Sequence, residues 1–451
     1  MQNTGPTLGF IRHHLNRVVN STLARNAGWM FAGQGLSLVV QGIYFVVLGR
    51  LLGSSQYGIL AAAFALVAIV GQYSSMGSGL LFLRYVSPDH SRFREYWGNI
   101  ILSTATIGTL LVLVLGWGGR WLVGSESASV LLLVAVGECL CGQFTLCVSQ
   151  IFQSFEKMRI TATLNLLTNF LRLLLASGML LLLHQATARQ WAKASMAVSI
   201  LAAATAFATV TIRFGWPKFV PRLLLTRLLE GLLFSVGGST TSVYNDIDKV
   251  MLGHYGMNEA NGVYSMAYRL VNICTMPINA IHGAAFPRFF REGLHGVRST
   301  EPFARKLLKR TLVLGIVAAL GMFVAAPLIP YLVGRGFSQS VTALRWLCLI
   351  PVFRSLHLSA GDAMVGAGYL NYRIIAQFIV AASNFCMNLY LIPHYSWTGA
   401  AWASLLTDGA LAAMSWTVLL WLKRNELARP LALELESACF DGAKNVSTVA
   451  P

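Results

Sequence analysis

Apolar runs of about twenty residues recur along this chain from about residue 26 to about residue 422, separated by short polar or glycine-bearing segments. That is the length an α-helix needs to cross a hydrocarbon core about 30 Å thick, at about 1.5 Å per residue. The pattern predicts spans near 26 to 49, 57 to 83, 98 to 119, 126 to 152, 162 to 184 and 194 to 212. A second series follows near 228 to 252, 260 to 286, 311 to 334, 340 to 366, 374 to 393 and 398 to 422. Only the stretches at 285 to 310 and beyond 423 break the rhythm. Met276-Pro277 and Ala326-Pro327 fall inside or beside spans, where membrane helices accept a kink if neighbours satisfy the freed backbone groups.

Composition agrees with the pattern: 55% of the 451 residues are hydrophobic and 11% charged, against about 25% charged in an ordinary soluble domain. The expected fold is therefore an all-α polytopic membrane protein of about twelve helices. The formal charge of +17 has to be placed before it is used, because a basic chain can serve nucleic acid or a membrane. With the N-terminus inside, 24 of the 34 lysines and arginines fall in inner segments, five in outer loops and five within spans. This is the asymmetry of the positive-inside rule, so both termini are expected on the cytoplasmic side of a bacterial-type inner membrane. No nucleic acid is needed to explain the charge.

The first 25 residues lack the short apolar core and small-residue cleavage site of a signal peptide, and read as a cytoplasmic segment, either amphipathic on the membrane surface or a flexible tail. Residues 26 to 213 and 228 to 422 are expected to form two bundles, joined by a linker at 214 to 227 and followed by a tail at 423 to 451. Six of the seven cysteines lie in apolar spans and Cys439 in the tail, so neither a disulfide framework nor a metal site is expected, and no cofactor.

An internal repeat supplies the architecture. VVLGRLLGSSQYGILAAAFALV at 46 to 67 aligns without a gap to VMLGHYGMNEANGVYSMAYRLV at 250 to 271, with seven identities at an offset of 204. Each copy joins the first helix of its half to the second across a glycine-bearing outer loop. With six helices per half, the copies share one orientation, which implies a pseudo-twofold axis along the membrane normal and a cavity between two bundles.

The chain also resembles a known family. RLLGSSQYG at 50 to 58, YNDIDKVMLGHYG at 244 to 256 with GVYSMAYRL at 262 to 270, and MNLYLIPHYSWTGAAWASLLTD at 387 to 408 are similar, in order and spacing, to segments of polysaccharide exporters. These exporters belong to the multidrug/oligosaccharidyl-lipid/polysaccharide superfamily. The resemblance implies a flippase for a lipid-linked oligosaccharide on a polyprenyl pyrophosphate carrier, built as two six-helix bundles.

Charges inside spans are the candidate site residues, since each costs about 2.5–3.5 kcal/mol on insertion scales and normally faces a partner or a water-filled cavity. Under the repeat offset, Asp246, Asp248, Lys249 and Arg269 stand opposite Gly42, Tyr44, Phe45 and Ala65, so symmetry does not demand them. Counted from the outer helix ends, Asp248 lies roughly 6 Å deep, Asp246 roughly 9 Å and Arg269 roughly 13 Å. One reading is an ion-pair cluster fixing the seventh helix to the eighth; the other has Arg269 binding substrate phosphate while an aspartate tunes it.

Arg172 and Arg354, near mid-span in opposite halves, and Arg345, nearer an outer end, are expected to line a cationic cavity with Arg269. Guanidinium forks grip pyrophosphate oxygens in pairs and stay charged, though Arg345 is also placed to snorkel outward. Glu138, Asp362 and Asp408 are each candidates for a coupling proton or for pairing an arginine. His357, one turn from Arg354, receives no role. Gln34, Gln41, Asn165 and Asn169 suit either sugar hydroxyls or interhelical hydrogen bonds, and Trp97, Trp117, Trp121 and Trp421 read as interfacial anchors.

Three function classes follow: a glycan-lipid flippase working by alternating access, a multidrug or ion antiporter of the same superfamily, and a membrane glycan polymerase or ligase. An antiporter for organic cations calls for an acidic cavity, whereas the candidates here are mostly basic. A polymerase needs a sizeable outer loop, and every outer loop here is about ten residues or fewer. No nucleotide-binding fingerprint occurs. The inner segment at 287 to 310, with seven lysines and arginines, suits anionic membrane lipids and is a candidate dock for glycan-assembly proteins.

Overall fold

The structure, a computed structural model, describes the backbone of residues 22–446 and the side chains of residues 35–426. The N-terminal surface helix, Gln34 and Cys439 lie outside the described residues. Among the described residues every regular element is helical. In chain order these are α1 (Thr22–Val70), α2 (Ser78–Val86), α3 (Phe93–Ala135), a π-helical turn (Val136–Gly142) and α4 (Gln143–Ser154). They continue with α5 (Met158–Leu183), α6 (Ala188–Phe214), α7 (Pro221–His254) and α8 (Asn258–Gly293). The last are α9 (Val297–Ala325), α10 (Ile329–Val333), α11 (Ser340–Leu347), α12 (Ile350–Gly366) and α13 (Leu370–Val446).

Straight, the 49 residues of α1 would run about 70 Å, more than twice the hydrocarbon core. The helix is broken at Gly53 (φ 69°), α3 at Gly124 (φ 75°) and α13 at Ser396 (φ 55°). All three breaks fall in segments expected as outer loops. Left-handed backbone costs an L-residue about 1–2 kcal/mol and glycine almost nothing, so two of the three breaks use glycine. α6 is started by a capping box in which Thr187 and Gln190 bond each other's backbone.

The chain is a multi-pass membrane protein. Among the described residues seven helical stretches are long and apolar enough to cross a bilayer, and three of them contain one of these breaks: His90–Ser154 and Leu370–Glu426 hold two expected spans each, and Gly35–Tyr73 parts of two. α7 and α8, where the seventh and eighth spans were expected, are long helices but too polar to count by composition. The number twelve is therefore not fixed by length and hydropathy.

The chain forms two compact units, Met1–Ser265 with Pro330–Ser338, and Met266–Ile329 with Gln339–Pro451. In the first, Phe82, Trp97, Ile151 and Phe152 are fully buried between α2, α3 and α4. In the second, Phe289, Val297, Ala360 and Leu419 join α8, α9, α12 and α13. Close approach is set by small residues, as is usual where helices cannot rely on water to drive them together: a Cβ on Gly293 would lie 1.9 Å from the Gly366 carbonyl oxygen.

The second expected span, 57 to 83, is not continuous. After Val70 come a 3-10 turn at Gly71–Tyr73 and two left-handed residues, Met76 (φ 45°) and Gly77 (φ 60°), before α2. The reason is tertiary. α7 packs into the break: a Cβ on Gly231 would lie 2.0 Å from the Met76 carbonyl oxygen, and Ser239 Oγ donates to the Ile69 carbonyl at 3.2 Å, as irregular backbone at membrane depth requires. Gly231→Val is expected to cost about 2 kcal/mol, read as a lower melting temperature in detergent. Gly237→Ala, with open space around its Cβ, should change it by less than half as much.

The sequence repeat reappears as a contact. A Cβ on Gly58 would lie 1.7 Å from the Asn258 carbonyl oxygen, and one on Gly262 1.9 Å from that of Ser54. Gly58 and Gly262 are repeat partners, and so are Ser54 and Asn258, so the two copies cross in a twofold-related way within the first unit. Asn261 Nδ2 closes the crossing by donating to the Gly58 and Lys249 carbonyls, both at 3.0 Å.

Candidate functional site

α5 is apolar outward and polar inward. Leu167, Phe170 and Leu174 are exposed, as on a lipid-facing surface, whereas Asn165, Asn169 and Arg172 share the other face through i, i+4 and i+7 spacing. That polar face, with Ser37 of α1, Glu138 of the π-helical turn, Thr145 of α4 and Ser199 of α6, lines an open cavity of about 310 Å³ in the first unit. Asn169 Nδ2 donates to Ser37 Oγ at 2.7 Å.

Arg172 Nη2 donates to Glu138 Oε1 at 2.6 Å and to Ser199 Oγ at 2.9 Å. The side chains are 20% and 28% exposed, enough to face the cavity while the pair stays shielded. Arg172 Nε is buried and bonds no protein atom. A π-helical turn widens the backbone and is often found at functional sites; here it carries Glu138. Gly142 makes room, since a Cβ there would come within 2.7 Å of Glu138 Oε2. The arrangement is a polar chamber with one guanidinium, one carboxylate and several neutral hydroxyls and amides, able to bind hydroxyl-rich or anionic groups.

The other expected residues fall into separate groups. In α7, Lys249 Nζ donates to Asp246 Oδ1 at 2.6 Å and to the Asn245 carbonyl at 2.7 Å. Asp248, 2% exposed, accepts from the Lys249 backbone N–H at 2.7 Å and from the Tyr264 hydroxyl of α8. The ion pair lies within α7, and the Tyr264 hydroxyl on Asp248 joins α7 to α8. Arg269 is exposed and belongs to the second unit. So do Arg354, whose Nη1 lies 3.4 Å from Asn272 Oδ1 and Thr275 Oγ1, and Arg345, whose guanidinium stacks 5.1 Å from the Phe323 ring.

Asp362 accepts from His282 and from Arg373, and Asp408 lies near His357. Sequence reasoning missed His282 and Arg373. His282 looks like one polar residue in an apolar span, and Arg373 was counted with an inner loop; only the packing of α8, α12 and α13 brings them to Asp362, 80 and 11 residues away. Of the expected anchors, Trp117, Trp121 and Trp421 are exposed, while Trp97 is fully buried in the first unit's core, where it packs on Phe144 and Phe207. Among the described residues no group of three or more His, Cys, Asp or Glu side chains could hold a metal.

Comparison with known proteins bears on this fold. An inward-facing multidrug resistance MATE family transporter of the MOP superfamily superposes with a TM-score of 0.69 at 13% identity, covering 88% of this chain and 99% of the other. Lipid II flippase MurJ in an inward closed conformation gives 0.68 at 14%, covering 90% and 92%. An outward-facing MATE transporter gives 0.59 at 15%, covering 90% and 98%. At such identities the likeness establishes the fold alone. The curated proteins contain no match in sequence. A family model described as polysaccharide biosynthesis protein matches residues 23–292, more than half the chain and both copies of the repeat. On that match, the chain belongs to the polysaccharide biosynthesis protein family.

Proposed function

We propose that the chain is a flippase that carries a polyprenyl-pyrophosphate-linked oligosaccharide from the cytoplasmic to the outer leaflet of a bacterial-type inner membrane. Its product would serve O-antigen, exopolysaccharide or capsule assembly. The observation that carries this reading is the chamber around Arg172, a guanidinium set among hydroxyls and amides inside a membrane-spanning unit. Neutral hydroxyls and amides exchange hydrogen bonds with sugar, and a guanidinium holds phosphate oxygens. Arg269, Arg354 and Arg345 are proposed to add positive charge along the substrate's path, and the aspartates to pair or couple ions.

Alternating access is the matching mechanism, with both termini cytoplasmic and the lipid tail kept in the bilayer. The multidrug or ion antiporter reading draws on one observation, the carboxylate of Glu138 in the chamber. That carboxylate and the Arg172 guanidinium offset each other's charge, and the hydroxyls and amides around them favour a sugar-bearing substrate over an organic cation.

Glycan export in a flippase-null strain tests the proposal, with membrane levels matched by immunoblot. Wild type is expected to restore export, and Arg269→Ala and Arg354→Ala to lower it at least tenfold, equivalent to about 1.4 kcal/mol each. Normal export by both variants would remove the arginines from the substrate path. Failure of wild type with every glycan tested would overturn the flippase reading.

A further inference from the structure

Thirteen described residues line the chamber around Arg172, and nine of them are polar: Glu138, Arg172 and seven uncharged hydroxyl or amide side chains. Sites for drug-like molecules are lined mostly by apolar and aromatic groups, whereas no aromatic residue is among these thirteen. A polar lining of this kind suits a sugar. At about 310 Å³ the chamber stands at the small end of ligand sites, which run from about 300 to 1,000 Å³, so it takes part of a glycan and not the whole.

Three of the hydroxyls in its wall are already committed as donors. Thr145 Oγ1 donates to the Cys141 carbonyl at 2.8 Å, Ser149 Oγ to the Thr145 carbonyl at 3.1 Å, and Thr168 Oγ1 to the Leu164 carbonyl at 2.9 Å. A hydroxyl has one proton, so each of these offers a ligand lone pairs only. Such a wall is matched by a ligand that brings protons, as sugar hydroxyls do. A carboxylate brings none.

Charge points the same way. Arg172 and Glu138, joined at 2.6 Å, are the charged residues of the lining, and they sum to zero. A carboxylate on the sugar would have to displace Glu138 from the guanidinium or lie beside it, and like charges repel strongly where protein shields them from water. A sugar hydroxyl can donate to Glu138 and accept from Arg172 at once. Where the guanidinium also meets phosphate, even less positive charge is left for an acidic sugar.

We propose that the chamber binds an uncharged sugar through its hydroxyls, and that Glu138 sets this specificity by cancelling the charge on Arg172 that would draw in an acidic sugar. The proposal rests on the flippase reading only for the lipid on which the sugar arrives.

Cys141 supplies the reporter, because it lies in the chamber wall and is half-buried, while Cys386 is exposed in the second unit and serves as the control. Purified full-length protein is treated at one fixed pH with an uncharged methanethiosulfonate reagent, and labelling of each cysteine is read by peptide mass spectrometry. The probes are neutral methyl pyranosides and the matching methyl uronosides. At least one neutral glycoside is expected to slow labelling of Cys141 and not of Cys386, with its uronoside binding about tenfold more weakly or worse. In Glu138→Gln the guanidinium regains its net charge, and the uronoside is expected to protect as well as the neutral sugar or better.

Equal protection by glycoside and uronoside in wild type, an unchanged preference in Glu138→Gln, or no protection by any neutral glycoside overturns the proposal. If Glu138→Gln does not fold, Thr145→Val/Thr168→Val removes two acceptors at nearly constant volume and is expected to weaken protection by the neutral sugar roughly threefold or more; undiminished protection overturns the acceptor wall. Protection of Cys141 without flipping of any lipid-linked glycan in liposomes overturns the flippase reading and leaves the sugar site standing. Flipping without protection does the reverse.

Discussion

Leucine at Gly262 is expected to abolish glycan export and to destabilise the purified protein by about 3 kcal/mol or more, with leucine at Gly58 doing the same. Overpacking a close contact costs about 1–3 kcal/mol when neighbours can shift. Here the obstacle on each side is a backbone carbonyl, 1.9 Å from a Cβ on Gly262 and 1.7 Å from one on Gly58, and each carbonyl belongs to the first residue of a helical segment, Ser54 after the Gly53 break and Asn258 at the start of α8. The loss reads out as a lower melting temperature in detergent and as export in the flippase-null strain. Gly283→Ala, with nothing within 4 Å of its Cβ, should leave export unchanged and shift stability by no more than about 1 kcal/mol. Should both leucine variants melt and export like wild type, the crossing is not a packed contact in the working protein.

Arg172→Met is expected to cost about 2–3 kcal/mol, because it leaves the Glu138 carboxylate without its cation among apolar helices. The figure sits at or below the low end for buried pairs, since the two side chains are 20% and 28% exposed and water screens them in part. Adding Glu138→Gln should recover most of that stability, because the stranded charge is gone. Export then separates the roles. If the pair only ties α5 to the π-helical turn, the double variant regains export with its stability. If the guanidinium handles substrate, the double variant is stable and exports at least tenfold less than wild type. Single and double variants at matched membrane levels, with melting curves on the same preparations, complete the cycle.

The polar face of α5 was legible from spacing alone, since Asn165, Asn169 and Arg172 recur with the helical period and the intervening leucines point to lipid. Glu138 was legible as a charge in a span but not as the partner of Arg172, 34 residues away, because the π-helical turn that carries it depends on how α3 and α4 pack. The break at Met76 and Gly77 was not legible either: apolar residues run on through it, and only the glycine face of α7 explains why the helix stops. His282 escaped notice because its partner lies 80 residues away and a single histidine leaves no periodic signal.

What this chain determined by itself is what local physics can read. Apolar runs of bilayer length set the class, the placement of lysines and arginines predicts the sides, glycines mark two of the three breaks within long helices, and the repeat at offset 204 aligns Gly58 with Gly262. Tertiary structure alone decided which buried charges meet. Pairing Asp362 with His282 and Arg373, and Asp248 with Tyr264, depends on the rotation and register of each helix against its neighbours. Those are set by side-chain packing summed along whole helices, a quantity no short stretch of sequence contains.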